Sequence, residues 1–255
     1  MAKIIAFNTL ALMMIATIAI HSSLVNGYTA SSTYVNWGAH HCKLQGDDLQ
    51  LVLDKSAGNA QSKRSYLFGS FEMLIKPVPR NSQQFYPWFD PTADFHNYTI
   101  HWTLIRRVIL FMFFLFLFFR WFIDGIPIRV FRNYQFKGIP FPNQQGMRVY
   151  TSLWNADEWA TRGGLVKIDW TNAPFIASYR SFRPKACDWN GPLSIVQCAI
   201  PTPHNCWASP SYYKLSANKV GEMNSMRSKY MIYDYCKDWK RFKGVMPIEC
   251  SLPQY

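Results

Sequence analysis

The chain has 255 residues, 49% of them hydrophobic and 17% aromatic, which excludes a disordered polar segment and fits one large all-β or α/β domain with at most a small appendix. Lysine and arginine outnumber aspartate and glutamate by 27 to 15, for a net charge of +12. Such an excess suits nucleic acid, an anionic surface or an acidic polymer, but it is spread thinly and forms no long basic block, so a nucleic-acid partner is not expected.

Met1 to about Gly27 reads as a secretory signal peptide. Lys3 supplies the positive start, Ile4 to Ile20 is almost wholly apolar, and Val25-Asn26-Gly27 offers neutral residues at a cleavage site. The apolar stretch approaches membrane-spanning length, but the polar His21-Ser22-Ser23 favours removal, so the mature chain is expected to keep no membrane span. Export makes the six cysteines candidates for disulfides rather than metal ligands. There is no C-x-x-C pair, and His40-His41-Cys42 is too compact for zinc ligation, so neither a metal nor another cofactor is expected. On a strand His40 and His41 would diverge, and both read as surface residues.

From Tyr34 to about Tyr179 short apolar and aromatic runs alternate with turn formers, which favours strands over helical bundles. Leu49 to Asp54 roughly alternates, and Ser56-Ala57-Gly58-Asn59 turns the chain. Tyr66 to Ile75 reads as a further strand, ended by Pro77 and Pro79. Trp121 to Arg129 is a hairpin around Asp124-Gly125. Gly146 to Trp154 and Leu165 to Trp170 read as two more strands, and a short helix is expected near Leu215 to Tyr230. No long helical period interrupts the strands, so the fold class is an all-β sandwich or jelly roll, with a cysteine-stapled extension beyond Phe182.

Two passages break the texture. Val108 to Phe119 is an unbroken apolar run between Arg106-Arg107 and Arg120, too short for the ~20 residues of a bilayer span. Nothing in it alternates, and it carries the composition of an aggregation-prone segment with no partner face waiting for it. The second break falls where Asn81-Ser82 meets Gln83-Gln84-Phe85, one strand pattern giving way to another.

Trp154-Asn155-Ala156-Asp157-Glu158-Trp159-Ala160-Thr161-Arg162-Gly163-Gly164 resembles the acceptor-side signature of plant xyloglucan endotransglucosylase/hydrolases, a branch of glycoside hydrolase family 16. Tyr66-Leu67-Phe68-Gly69, Asp124 to Arg129, and Tyr230 to Cys236 are similar to further family motifs, while Lys240-Arg241-Phe242 and Pro247 to Cys250 resemble the family's C-terminal extension. The likeness runs in order over nearly the whole mature chain. It implies a concanavalin-like jelly roll over residues 28–182 and the family's extension over residues 183–255. It also implies a polysaccharide partner, xyloglucan or a related β-glucan, and a monomeric protein secreted to the cell wall and apoplast. The disulfides it implies are Cys187–Cys198 and Cys236–Cys250, leaving Cys42 and Cys206 over.

The family's retaining transferase and glycosidase chemistry rests on the strand pattern Asp-Glu-Ile-Asp-Phe-Glu. There one glutamate attacks the anomeric carbon, another protonates the leaving oxygen, and the two carboxyls lie about 5–5.5 Å apart. That pattern is absent: the only glutamates are Glu72, Glu158, Glu222 and Glu249, with no E-x-D-x-E. The family places several strands, including this one, between the Pro-x-Asn-Ser turn and Gln-Gln-Phe, which implies an internal deletion near 82–83 and an apolar insertion at about 104–120. One skipped exon and one translated intron would account for both, as would a mis-assembled gene. The resemblance therefore implies no catalytic residue in this chain. It leaves a catalytically inactive family member, a β-glucan-binding wall protein, or an unstable product. Its implied substrate-binding residues are Glu158, Trp159, Gly163 and Arg241. Asn97, in Asn97-Tyr98-Thr99, is the sole glycosylation sequon, set in a strand-like run where glycan access is poor.

Overall fold

The computed structural model describes residues 32–253, apart from 47, 55, 77–84, 86, 110–111, 156–166, 201, 210–211 and 213 and the side chains of 74–76, 104–109, 112–117 and 206. The signal-peptide stretch, the Asn81–Gln83 junction, and Glu158, Trp159 and Gly163 thus lie outside the described residues.

The fold is all-β, as the sequence predicts. The strands are β1 (Thr33–Trp37), β2 (Cys42–Gln45), β3 (Asp48–Leu53), β4 (Gly58–Ser62), β5 (Tyr66–Lys76), β6 (His96–Ile109), β7 (Met112–Ile123), β8 (Ile126–Arg132), β9 (Tyr150–Leu153) and β10 (Phe175–Asp188). They form a three-stranded sheet, β1-β4-β9, and a seven-stranded sheet in the order β2-β3-β10-β5-β6-β7-β8. Among the described residues the α-helices are α1 (Ser194–Gln197) and α2 (Ala217–Tyr230), the latter where the sequence places a helix, with Ser216 Oγ capping it by accepting from the Lys219 amide. Among the described residues no helix is long and apolar enough to cross a membrane.

The contacts divide the chain into two units. In the first, made of residues 1–65, 72–98 and 147–184, β3 pairs antiparallel with β10 so that Leu49, Leu51 and Leu53 face Tyr179, Ala177 and Phe175. All six are buried, because side chains two apart on a strand share a face and cross-strand partners meet on it. At the strand's exposed end Arg180 grips Asp48 with two hydrogen bonds of 2.7 Å, Nε to Oδ1 and Nη2 to Oδ2.

In the second unit, residues 66–71, 99–146 and 185–255, the β7–β8 hairpin turns on Asp124 (φ 49°) and Gly125 (φ 75°), the left-handed pair a tight two-residue turn requires. Its aromatic core joins Phe68 to Trp102 (5.2 Å between ring centroids), Trp102 to Phe119 (5.3 Å) and Phe119 to Phe141 (5.2 Å). The described backbone of the apolar run is extended. Residues 108–109 and 112–119 are strand, and β6 and β7 are neighbours in the larger sheet. Phe119 pairs with Phe131 and stacks on Trp102.

Leu165 to Trp170 is a correction, since 167–169 are not strand and Trp170–Asn172 is a 3-10 turn. Asp169 explains it. Its side chain accepts from the Thr171 amide (3.1 Å), the Thr171 hydroxyl (2.6 Å) and the Asn172 amide group (2.7 Å), a local network that competes with strand pairing.

Candidate carbohydrate-binding cavity

A cavity of about 480 Å³ opens in the first unit, lined by Trp37, Leu53, Ser56, Ala57, Asn59, Ser152, Trp154 and Asn155. The small sheet builds its wall. Trp37 on β1 pairs with Asn59 on β4, and Asn59 pairs in turn with Ser152 on β9, so the three lie in one row across the strands. Trp154, two residues past Ser152, continues the lining. Trp37 keeps 47% of its surface exposed. Asn59 is buried, and its Oδ1 accepts no hydrogen bond among the described residues. The exposed indole face suits a ligand with apolar C–H faces.

The rim is fixed by a polar turn. His41 sits in the 3-10 turn Ala39–His41 and is buried, against the expectation of a surface strand residue. Gly38 makes this possible. At φ 67° it takes a left-handed conformation, and a Cβ there would lie 2.4 Å from the Ala57 carbonyl oxygen. His41 Nε2 lies 2.8 Å from Ser56 Oγ, and Nδ1 lies 3.7 Å from Asp54 Oδ2. The three side chains have the composition of a nucleophilic triad, but Ser56 turns its amide (2.9 Å) and its hydroxyl (3.2 Å) back on Asp54 Oδ1. That is a turn anchor holding the cavity rim, rather than a nucleophile aimed at a substrate.

Among the described residues that line the cavity none is a carboxylate. Among the described residues no three His, Cys, Asp or Glu side chains gather as a metal site would require. Of the residues the resemblance implies for sugar binding, Arg241 alone is described. It is exposed, donates to the Tyr233 hydroxyl at 3.1 Å and lies 5.7 Å from the Phe242 ring centroid. The Tyr233 hydrogen bond raises its pKa, keeping the guanidinium charged. Asn97 lies within β6, half-buried. Both implied disulfides are present, Cys187–Cys198 with 5.7 Å and Cys236–Cys250 with 5.2 Å between Cα atoms. Cys42 is a free thiol whose pKa burial raises. Sequence reasoning missed Trp37, Asn59 and Ser152, because only the register of three separated strands brings them into one row.

Two β-sheets with an aromatic, hydroxyl-lined cavity fit the jelly-roll glycoside hydrolases. The family model for glycosyl hydrolases family 16 matches residues 78–172, and that for the xyloglucan endo-transglycosylase C-terminus matches residues 202–250. Xyloglucan endotransglucosylase protein 7 of Diospyros kaki is 37% identical over 268 residues, covering 86% of this chain and 95% of that protein. Putative xyloglucan endotransglucosylase/hydrolase protein 13 of Arabidopsis thaliana is 35% identical over 298 residues, covering 97% of this chain and 99% of that protein. Among solved structures, Crh5 transglycosylase in complex with NAG aligns with a TM-score of 0.48 and 17% identity, covering 66% of this chain and 84% of that one. The chain belongs to the xyloglucan endotransglucosylase/hydrolase family.

Proposed function

We propose that this family member binds xyloglucan or a related β-glucan in the cell wall without cleaving or religating it. The observation that carries the reading is a cavity with two indoles whose described lining residues include no carboxylate. Retaining transfer needs a carboxylate nucleophile and a carboxyl acid facing the same sugar ring, and the sequence holds no E-x-D-x-E to supply them. The comparison with the Arabidopsis protein supports a deletion, since an alignment of 298 positions is longer than the 255-residue chain and must open gaps in it. The partnered strands of the apolar run favour a folded binder over an unstable product.

The chain is read as a secreted apoplastic monomer that takes part in wall construction by adhesion alone. Sugar rings would lay C–H faces against Trp37 and Trp154. The test is a pull-down on xyloglucan-coated cellulose with the oxidised chain, run beside its Trp37→Ala variant. Retention of the parent and loss of the variant are expected. Equal retention of both would remove the cavity from the reading.

A further inference from the structure

The segment that follows α2 carries an excess of positive charge. Between 237 and 243 Lys237, Lys240, Arg241 and Lys243 stand against Asp238, with Asp234 and Glu249 flanking the turn, and all four cations are exposed. Asp238 is already engaged, accepting from the Tyr233 hydroxyl at 2.8 Å and from the Arg241 amide at 3.0 Å. Among the described residues the three lysines form no ion pair. In their midst Trp239 leaves 61% of its surface in water, unusual for the side chain with the largest apolar face.

This is no loose tail. The Cys236–Cys250 bridge closes the segment, and Asp234 caps its first turn by accepting from the Cys236 amide at 3.0 Å. The amides of Lys243, Gly244 and Val245 donate to the carbonyls of Lys240, Trp239 and Phe242 at 3.2, 3.0 and 2.9 Å. Aromatic and guanidinium groups alternate beside it: Arg129 lies 5.4 Å from the Trp121 centroid and 5.9 Å from that of Tyr235. The Tyr235 and Phe242 rings follow at 6.3 Å. A backbone so tied loses little freedom when a ligand arrives.

We propose that the Lys237–Lys243 turn is a second carbohydrate site, specific for an acidic polysaccharide of the polyuronate class. Such a polymer presents one carboxylate on each sugar ring. Lysine ammoniums, compact charges with rotatable donors, meet those carboxylates from many directions, and a ring face packs on Trp239. The two halves act together: cations alone would take any polyanion, and an indole alone any sugar. A nucleic-acid duplex would engage the lysines and leave Trp239 without a face to stack on, because its bases are already stacked. The site uses residues of the second unit alone, so it stands whether or not the cavity binds xyloglucan.

The test uses the full oxidised chain with polygalacturonate as the probe. Binding is expected at low salt and should be mostly lost by about 0.5 M salt, where charges are screened within a few ångströms. The triple variant Lys237→Gln, Lys240→Gln, Lys243→Gln should bind roughly tenfold more weakly, three exposed charge contacts acting together. Replacing the same lysines by arginine should keep binding, which separates charge from folding. Trp239→Ala should weaken polygalacturonate roughly fivefold and leave polyglutamate, a polyanion without rings, unchanged. Unaltered binding by the glutamine variant overturns the proposal. So does loss of binding in a folded arginine variant, or an equal effect of Trp239→Ala on both polymers. Tighter capture of duplex DNA or of phosphatidylserine vesicles than of polygalacturonate would also overturn it.

Discussion

Arg120, the cation at the end of the apolar run, is 2% exposed in the core of the second unit. It donates to the Tyr212 carbonyl and lies 5.7 Å from the Phe118 centroid, with no salt bridge among the described residues. Desolvation pushes its pKa from 12.5 down to about 10. A drop of that size corresponds to roughly 3 kcal/mol against the charged folded state. Because the folded pKa is depressed, the unfolded chain holds the proton more tightly. The penalty is therefore present in full at neutral pH and fades only above pH about 10. Arg120→Met removes it and fills similar volume, at the loss of one hydrogen bond worth about 1–2 kcal/mol. The variant should therefore be more stable by about 1–2 kcal/mol, read as a higher urea midpoint with unchanged slope. A midpoint lowered by the equivalent of about 1 kcal/mol or more would show the guanidinium to be a net contributor, and the desolvation reasoning to be wrong.

His101 packs beside Arg120, and burial with that neighbouring charge lowers its pKa from 6.5 to about 4. The unfolded chain then binds the extra proton first, so stability should fall as pH drops from 6.5 to 4, by up to roughly 3 kcal/mol. Melting temperature against pH should show the slope, and His101→Asn should flatten it. Trp37→Ala should weaken xyloglucan binding roughly tenfold in affinity electrophoresis without lowering the melting temperature, since Trp37 is 47% exposed. Replacing Cys236 and Cys250 by serine should destabilise the segment they close by about 2–3 kcal/mol, seen as faster amide exchange confined to residues 235–251.

What the sequence disclosed and what it withheld follow from the range of the interactions. The Asp124-Gly125 hairpin was legible because its signal is local, two residues that tolerate left-handed backbone between β-rich arms. Helix α2 was legible from its place in the extension, with Ser216 as the cap. The disulfides Cys187–Cys198 and Cys236–Cys250 followed from the family resemblance. Residues 165–170 misled because their apolar pattern reads as a strand, whereas the Asp169 carboxylate captures Thr171 and Asn172. His41 misled because its burial depends on Gly38 bringing one turn against another. The Trp37–Asn59–Ser152 row has no local signature, being made by register between strands far apart in the chain. The described residues of the cavity lining include no carboxylate, and the sequence holds no E-x-D-x-E pattern.

The proposal that this family member binds glucan without glycosyl transfer is tested most directly by one assay. The purified, disulfide-intact chain is incubated with xyloglucan and a fluorescent xyloglucan oligosaccharide, and incorporation of label into polymer is followed over a day. No incorporation above a heat-denatured control is expected, because without a positioned nucleophile the glycosidic bond is not cleaved. Sustained incorporation above that control, abolished by denaturation and proportional to the amount of chain, would contradict it.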